Sequence, residues 1–154
     1  MKARQKKLVQ QQLDGTLKGF DVLRRVTVPP KGWVRAIRNA LGMTGQQLAR
    51  RLGTNRQRIA RIEQDEKQGR VTVNTLRNVA EAMDCEFVYG FVPKESLEQT
   101  VRDQARRVAV KRMDRSNQSM RLEAQELSEA EKEQVLNELI GEIVNTMPRN
   151  LWDE

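Results

Sequence analysis

The chain has 154 residues, enough for one domain with extensions, and carries a net charge of +7 with no histidine and a single cysteine. Lacking histidine, it lacks the commonest general base and metal ligand, so neither an enzyme nor a zinc site is expected, and no cofactor. A lone Cys85 permits no internal disulfide, no apolar run is long enough to span a bilayer, and the basic start MKARQKK leads into LVQQQLDG without an apolar leader core, so a cytoplasmic protein with no membrane partner is expected.

In chain order, Leu8, Leu13, Leu17, Phe20 and Leu23 recur at loosely helical spacing, diluted by Gly15 and Gly19. Val26-Thr-Val28 then run into Pro29-Pro30, which force an extended linker. From Lys31 the spacing tightens: Trp33, Val34, Ile37, Ala40 and Leu41 mark one face of a helix that stops at Gly42. Thr44 with Gln47 forms a capping box for a second helix ending at Gly53, and Asn55 caps a third that runs to Asp65 or Glu66. Gly69 breaks the chain, and Thr72 or Asn74 opens a fourth helix through Leu76, Val79, Ala80 and Met83.

Residues 86–92, EFVYGFV, read as a short β-strand ending at Pro93. A single strand needs a partner, either Arg25 to Val28 or the same strand of a second subunit, and Phe87, Tyr89 and Phe91 would share one side. Beyond Pro93 the pattern is helical. Leu97, Val101, Ala105 and Val108 make an apolar stripe, while Arg102, Arg106, Arg107, Lys111 and Arg112 make a basic face. A break is expected at Ser116 to Ser119, SNQS. Ser128 with Glu131 opens a last helix whose wide stripe, Val135 to Val144, ends at Met147-Pro148. Three segments follow: an arm and linker at 1–30, a tightly patterned helical domain with a terminal strand at 31–93, and a helical dimerisation or partner-binding region at 94–154.

Charge is uneven along this map. Residues 1–70 hold 17 basic and 5 acidic side chains, whereas residues 71–154 hold 11 basic and 16 acidic ones. Val22 to Ile62 contains ten basic residues and no acid, which suits a polyanionic partner. Inside that block, residues 44–63 fit two short helices crossing at a tight turn. Close crossing needs a small residue, Ala49, the turn needs a left-handed one, Gly53, and Leu48, Leu52, Ile59 and Ile62 fill the shared core. This is the helix-turn-helix pattern. With Ile59 and Ile62 inward, Arg56, Gln57, Ala60 and Arg61 face out, where arginine can pair with guanine, glutamine with adenine, and Ala60 can touch a thymine methyl. Asn55, Arg58 and Gln46 are placed for phosphates, and Gln47 completes the candidate set for double-stranded DNA. A dimer is expected, because such proteins commonly read two half-sites.

On these residues, GQQLARRLGTNRQRIARIE, the segment 31–83 resembles the lambda-repressor-like (Xre-type) helix-turn-helix domain. The expected fold is mainly α: a lambda-repressor-like bundle with one short β-strand and helical N- and C-terminal extensions. The resemblance implies that Glu63 serves the domain's own structure. It also marks a departure at Gly45, where many members carry a DNA-contacting glutamine, a role that could pass to Gln46. KGWVRAIRNALGMT, TLRNVAEAMDCEFVYGFVP, SLEQTVRDQARR and SMRLEAQ extend the likeness over most of residues 31–125, to the family called mobile mystery protein A. That family is bacterial and encoded beside a Fic-domain protein, which implies an antitoxin or regulator of a Fic toxin. The inhibitory helix of many Fic inhibitors has no match; Ser119 to Glu123 comes nearest and fails at Ala124.

Other features carry weaker expectations. The stripe 135–144 packs within its own domain or a dimer, or else meets a toxin. Trp152 anchors an interface or closes the bundle, Cys85 is an inert buried thiol, and Asp65-Glu66 face solvent. The readings in view are a repressor acting as antitoxin, a stand-alone dimeric repressor, and an interaction protein whose C-terminal helices bind a partner without DNA.

Overall fold

The computed structural model describes residues 2–122 and 127–153. Among them seven α-helices form: α1 (Ala3–Leu17), α2 (Trp33–Ala40), α3 (Gly45–Arg51), α4 (Arg56–Lys67), α5 (Val73–Ala82), α6 (Leu97–Leu122) and α7 (Glu129–Thr146), with a 3₁₀ segment at Lys18–Arg25. They sort into two compact units, residues 25–90 and residues 1–24 together with 91–154. No helix among the described residues is long and apolar enough to cross a membrane.

In residues 25–90 most helices open on a side chain that takes their orphan N–H groups. Thr44 Oγ1 accepts from the Gln47 N–H at 3.1 Å, and Gln47 Oε1 accepts from the Thr44 N–H at 2.7 Å. Asn55 Oδ1 accepts from the Arg58 N–H at 2.8 Å, and Thr72 Oγ1 from the Thr75 N–H at 3.1 Å. Helix α2 has only Gly32 at its head. Its first donors, the N–H groups of Trp33 and Val34, go instead to the Glu66 carboxylate on α4, at 2.7 and 3.0 Å. The φ of Gly32, +83°, favours glycine, and a Cβ there would stand 2.7 Å from Glu66 Oε2, so the carboxylate would have to shift off the helix head. Glu66 therefore does not face solvent as expected; a helix N-terminus holds it.

The core of this unit is Val34, Leu48, Ala49, Ile59, Ile62, Val79 and Met83, with Ile37, Leu52, Leu76 and Cys85 packed at its edge. Leu48 and Ala49 are wholly buried, and Gly53 turns the chain between α3 and α4 at φ +65°. Trp33, Ala40 and Leu41 were expected on the buried face of α2 but stay exposed. They lie at the margins of its apolar arc, where Val34 and Ile37 already meet the core. Arg38 ties three segments together. Its Nε donates to Glu63 Oε1 at 2.7 Å and its Nη1 to the Met43 carbonyl at 2.8 Å, with the paired side chains only 13% and 11% exposed.

The second unit is built from both ends of the chain. Ala105, Ala109, Ile140, Ile143 and Leu151 form its core, and Leu136, Leu139 and Val144 pack against them, so much of the α7 stripe is covered within the unit. The Asp14 carboxylate on α1 accepts the Leu97 and Glu98 N–H groups at 2.6 and 3.2 Å, beside Ser96 Oγ, which takes the Gln99 N–H at 3.0 Å. Lys6 Nζ donates to the Met147 carbonyl at 3.0 Å, where α7 ends in a left-handed residue before Pro148. Residues 1–24 thus belong to the same compact unit as α6 and α7. At the head of α7, Ser128 and Glu131 exchange hydrogen bonds, which hold the Glu131 carboxyl below its ordinary value. Leu151 is buried while Trp152 stays exposed, so Leu151 closes this end of the core.

Two expectations are corrected here. Residues 86–92 form no β-strand, and the described residues contain none. Phe87 and Tyr89 do stand on one side, their rings stacked with centroids 6.1 Å apart. Neither residues 25–28 nor any other described segment offers a ladder of N–H and C=O groups, and without one a β-prone sequence stays irregular. The SNQS break is also absent, since α6 runs unbroken through it to Leu122. Serine and asparagine are modest helix formers, but no glycine or proline interrupts the backbone ladder there. The glutamate of the near-match Ser119 to Glu123 lies outside the described residues.

Candidate nucleic-acid interface

The candidate residues sit on α3, on the turn after it and on the first two turns of α4. Gln46, Gln47, Asn55, Arg56, Gln57, Arg58, Ala60 and Arg61 are all exposed. The reason lies in helical spacing: Ile59 and Ile62 anchor the buried side of α4, at 1% and 5% exposure, which turns positions 56, 57, 60 and 61 away from the core. Two members have structural duties as well. Gln47 Oε1 caps α3 and Asn55 Oδ1 caps α4, which fixes their rotamers; their amide N–H donors take no partner among the described residues.

Acids that would offset this charge are directed inward. Glu63 and Glu66, on the same helix as Arg56, Arg58 and Arg61, are bound to Arg38 and to the head of α2. Among the described residues none of Arg56, Arg58 and Arg61 forms an ion pair, so the N-terminal half of α4 presents their charge to solvent. An α-helix with side chains is about 10–12 Å across, and a B-DNA major groove is about 12 Å wide. Such a helix can enter the groove and bring Arg56, Gln57 and Arg61 to base edges.

Beside α4 runs an open groove of about 590 Å³ lined by Arg35, Asn39, Thr44, Gly45, Arg56 and Ala60, among others. Arg35 is exposed there, and motif spacing did not single it out. Its only sequence signal is membership of the acid-free block 22–62. Gly45 borders the same groove. A Cβ there would meet Arg56 Cγ at 3.7 Å and Ile59 Cγ2 at 4.0 Å, ordinary contacts, so packing does not impose the glycine. Arg51 is anchored elsewhere: its Nη1 donates to the Ala82 carbonyl at 3.0 Å and lies 3.6 Å from Asp84, at the end of α5. No group of three or more His, Cys, Asp or Glu stands together to hold a metal among the described residues.

No curated protein and no solved structure gives a match to the chain. A helix-turn-helix family model matches residues 34–89, a span that begins in α2 and contains every candidate residue. Residues 34–89 are thus similar to a helix-turn-helix domain of the Xre-like kind, a likeness that suggests a DNA-binding regulator.

Proposed function

We propose that the protein is a sequence-specific transcriptional repressor that acts as the antitoxin of a Fic-type toxin, binding its own promoter as a homodimer and holding the toxin. The observation that carries the DNA-binding part is the exposed basic face at the N-terminal half of α4, with Arg56, Gln57 and Arg61 on a helix seated by Ile59 and Ile62. Base reading belongs to those three, and phosphate contacts to Gln46, Gln47, Asn55 and Arg58. The toxin part is supported by the resemblance of residues 31–125 to mobile mystery protein A. Because much of the apolar side of α7 packs in its own unit, toxin contact falls to that helix's outer face, where Glu129, Glu131, Glu133, Glu138 and Glu142 are all exposed.

The test is co-expression with the neighbouring gene, purification through an N-terminal tag at moderate salt, and mass spectrometry of what comes along. A stoichiometric Fic-domain partner is expected. A clean homodimer that shifts its own promoter would leave a stand-alone repressor and end the antitoxin reading.

A further inference from the structure

The basic face of α6 lies outside the helix-turn-helix domain, and the function above makes no use of it. On this face Arg107, Lys111, Arg112 and Arg115 line a cleft of about 170 Å³ in which Asp153 is the only acid among the described residues. A surface charge run alone is usually a solvated face. Here a buried group makes the difference. Gln104, only 3% exposed, donates from Nε2 to the Leu151 carbonyl at 2.9 Å and accepts on Oε1 from Arg107 Nε at 2.9 Å. The core therefore clamps the inner edge of the Arg107 guanidinium. Its two terminal nitrogens, which carry no acidic partner among the described residues, remain as a preorganised pair of donors.

We propose that this cleft is a second phosphate-binding site, which takes backbone phosphates of a nucleic acid; the proposal builds on the DNA-binding reading above. Arginine held as a fork gives paired N–H donors to two oxygens of a tetrahedral phosphate or of a carboxylate, so the spacing of the cations is what favours nucleic acid over an acidic protein. From Arg107 to Arg115 the cations lining the cleft extend along about 12 Å of helix, at 1.5 Å per residue, over which one strand of B-DNA presents about three phosphates at roughly 3.4 Å each. Base specificity stays with α4, and α6 adds affinity without sequence information.

The experiment measures duplex binding by the full chain, by fluorescence anisotropy from 50 to 200 mM NaCl. The variants are Arg107→Ala/Lys111→Ala/Arg112→Ala, a control lacking as many charges on α1 and just after it (Arg4→Ala/Lys7→Ala/Lys18→Ala), and Arg107→Lys. Three lost phosphate contacts flatten the log–log salt slope by about 2.7, so the affinity lost across that range shrinks about forty-fold. That change is expected in the α6 triple variant alone, with the ratio of operator to scrambled affinity unaltered. Arg107→Lys, which keeps the charge but loses the clamped fork, is expected to keep the slope and to weaken binding several-fold at every salt concentration. An unchanged slope in the α6 triple variant, or an equal change in the α1 control, would overturn the proposal. So would a triple variant that binds DNA normally but no longer binds inorganic phosphate in titration calorimetry, or no longer retains an acidic protein partner. Failure of the α4 reading has a separate signature: Arg56→Ala and Arg61→Ala would leave discrimination intact whatever α6 does.

Discussion

The pair Arg38–Glu63 should be the costliest polar contact to break in residues 25–90. The pair is nearly enclosed, at 13% and 11% side-chain exposure, with Nε to Oε1 at 2.7 Å. Glu63→Leu removes one partner and leaves the Arg38 guanidinium charge uncompensated; for buried pairs such a loss costs about 3–5 kcal/mol, and slight exposure here points to about 3. At roughly 0.05–0.15 kcal/mol per residue, a unit of this size has about 3–10 kcal/mol in total, so the single variant is close to unfolding. Arg38→Met should cost as much, because it also releases the Met43 carbonyl. The double variant replaces both ions with apolar groups and should recover about 2 kcal/mol relative to the sum of the singles. The assay is urea unfolding followed by fluorescence on a Trp152→Phe background, which leaves Trp33 as sole reporter of this unit. Single variants costing under about 0.5 kcal/mol, or strict additivity, would show that the contact contributes nothing beyond surface pairs.

Four further outcomes are expected. Arg56→Ala or Arg61→Ala should reduce preference for a selected operator by about 1–3 kcal/mol per base contact in competition binding, and equal wild-type affinity for operator and scrambled DNA would refute base reading. Gly53→Ala, at φ +65°, should cost about 1–2 kcal/mol in the same Trp33 assay; a neutral result would deny the left-handed turn. Asp14→Ala should deprive Leu97 and Glu98 of their acceptor, raising amide exchange at the head of α6 and costing about 1–2 kcal/mol; unchanged protection there would contradict the geometry. Glu131 is held below its ordinary value by the Ser128 hydroxyl and backbone N–H, so its contribution is present above the unfolded pKa of about 4.3. It fades as pH falls through the lower folded value, and amide protection at residues 129–132, taken relative to the intrinsic exchange rate at each pH, should fall in acid in the wild type but change less in Ser128→Ala.

What the sequence revealed was local. The boxes Thr44–Gln47 and Ser128–Glu131 and the cap Asn55 appear as read, because donor and acceptor sit within three residues and need only a helix to meet. Ala49, Gly53, Ile59 and Ile62 were legible for a related reason: two short helices crossing at a tight turn leave few arrangements, each with its residue type. The outward side of α4 follows from that, so the candidate interface was visible before the fold. Arg35 was not, because it reaches the groove from α2.

The misses share one cause. Glu66 reaches Trp33, Asp14 reaches Leu97 and Gln104 reaches Leu151, each across more than thirty positions. No spacing rule reports such pairs. An unsatisfied demand sometimes does. Helix α2 begins at Gly32 with no side chain to take its first N–H groups, so some remote acceptor had to come, and a glycine that also avoids a Cβ clash marks where it arrives. The strand expected at 86–92 is the converse case. Its alternation of aromatics was real, but a strand also demands a neighbour, and residues 25–28 supply no ladder. Asking of each element what its backbone still lacks would have flagged Glu66 as needed and the strand as unsupported. The same question asked of Arg107, a guanidinium clamped at one edge by a buried amide and open at the other, is what makes the α6 cleft more than a solvated charge run.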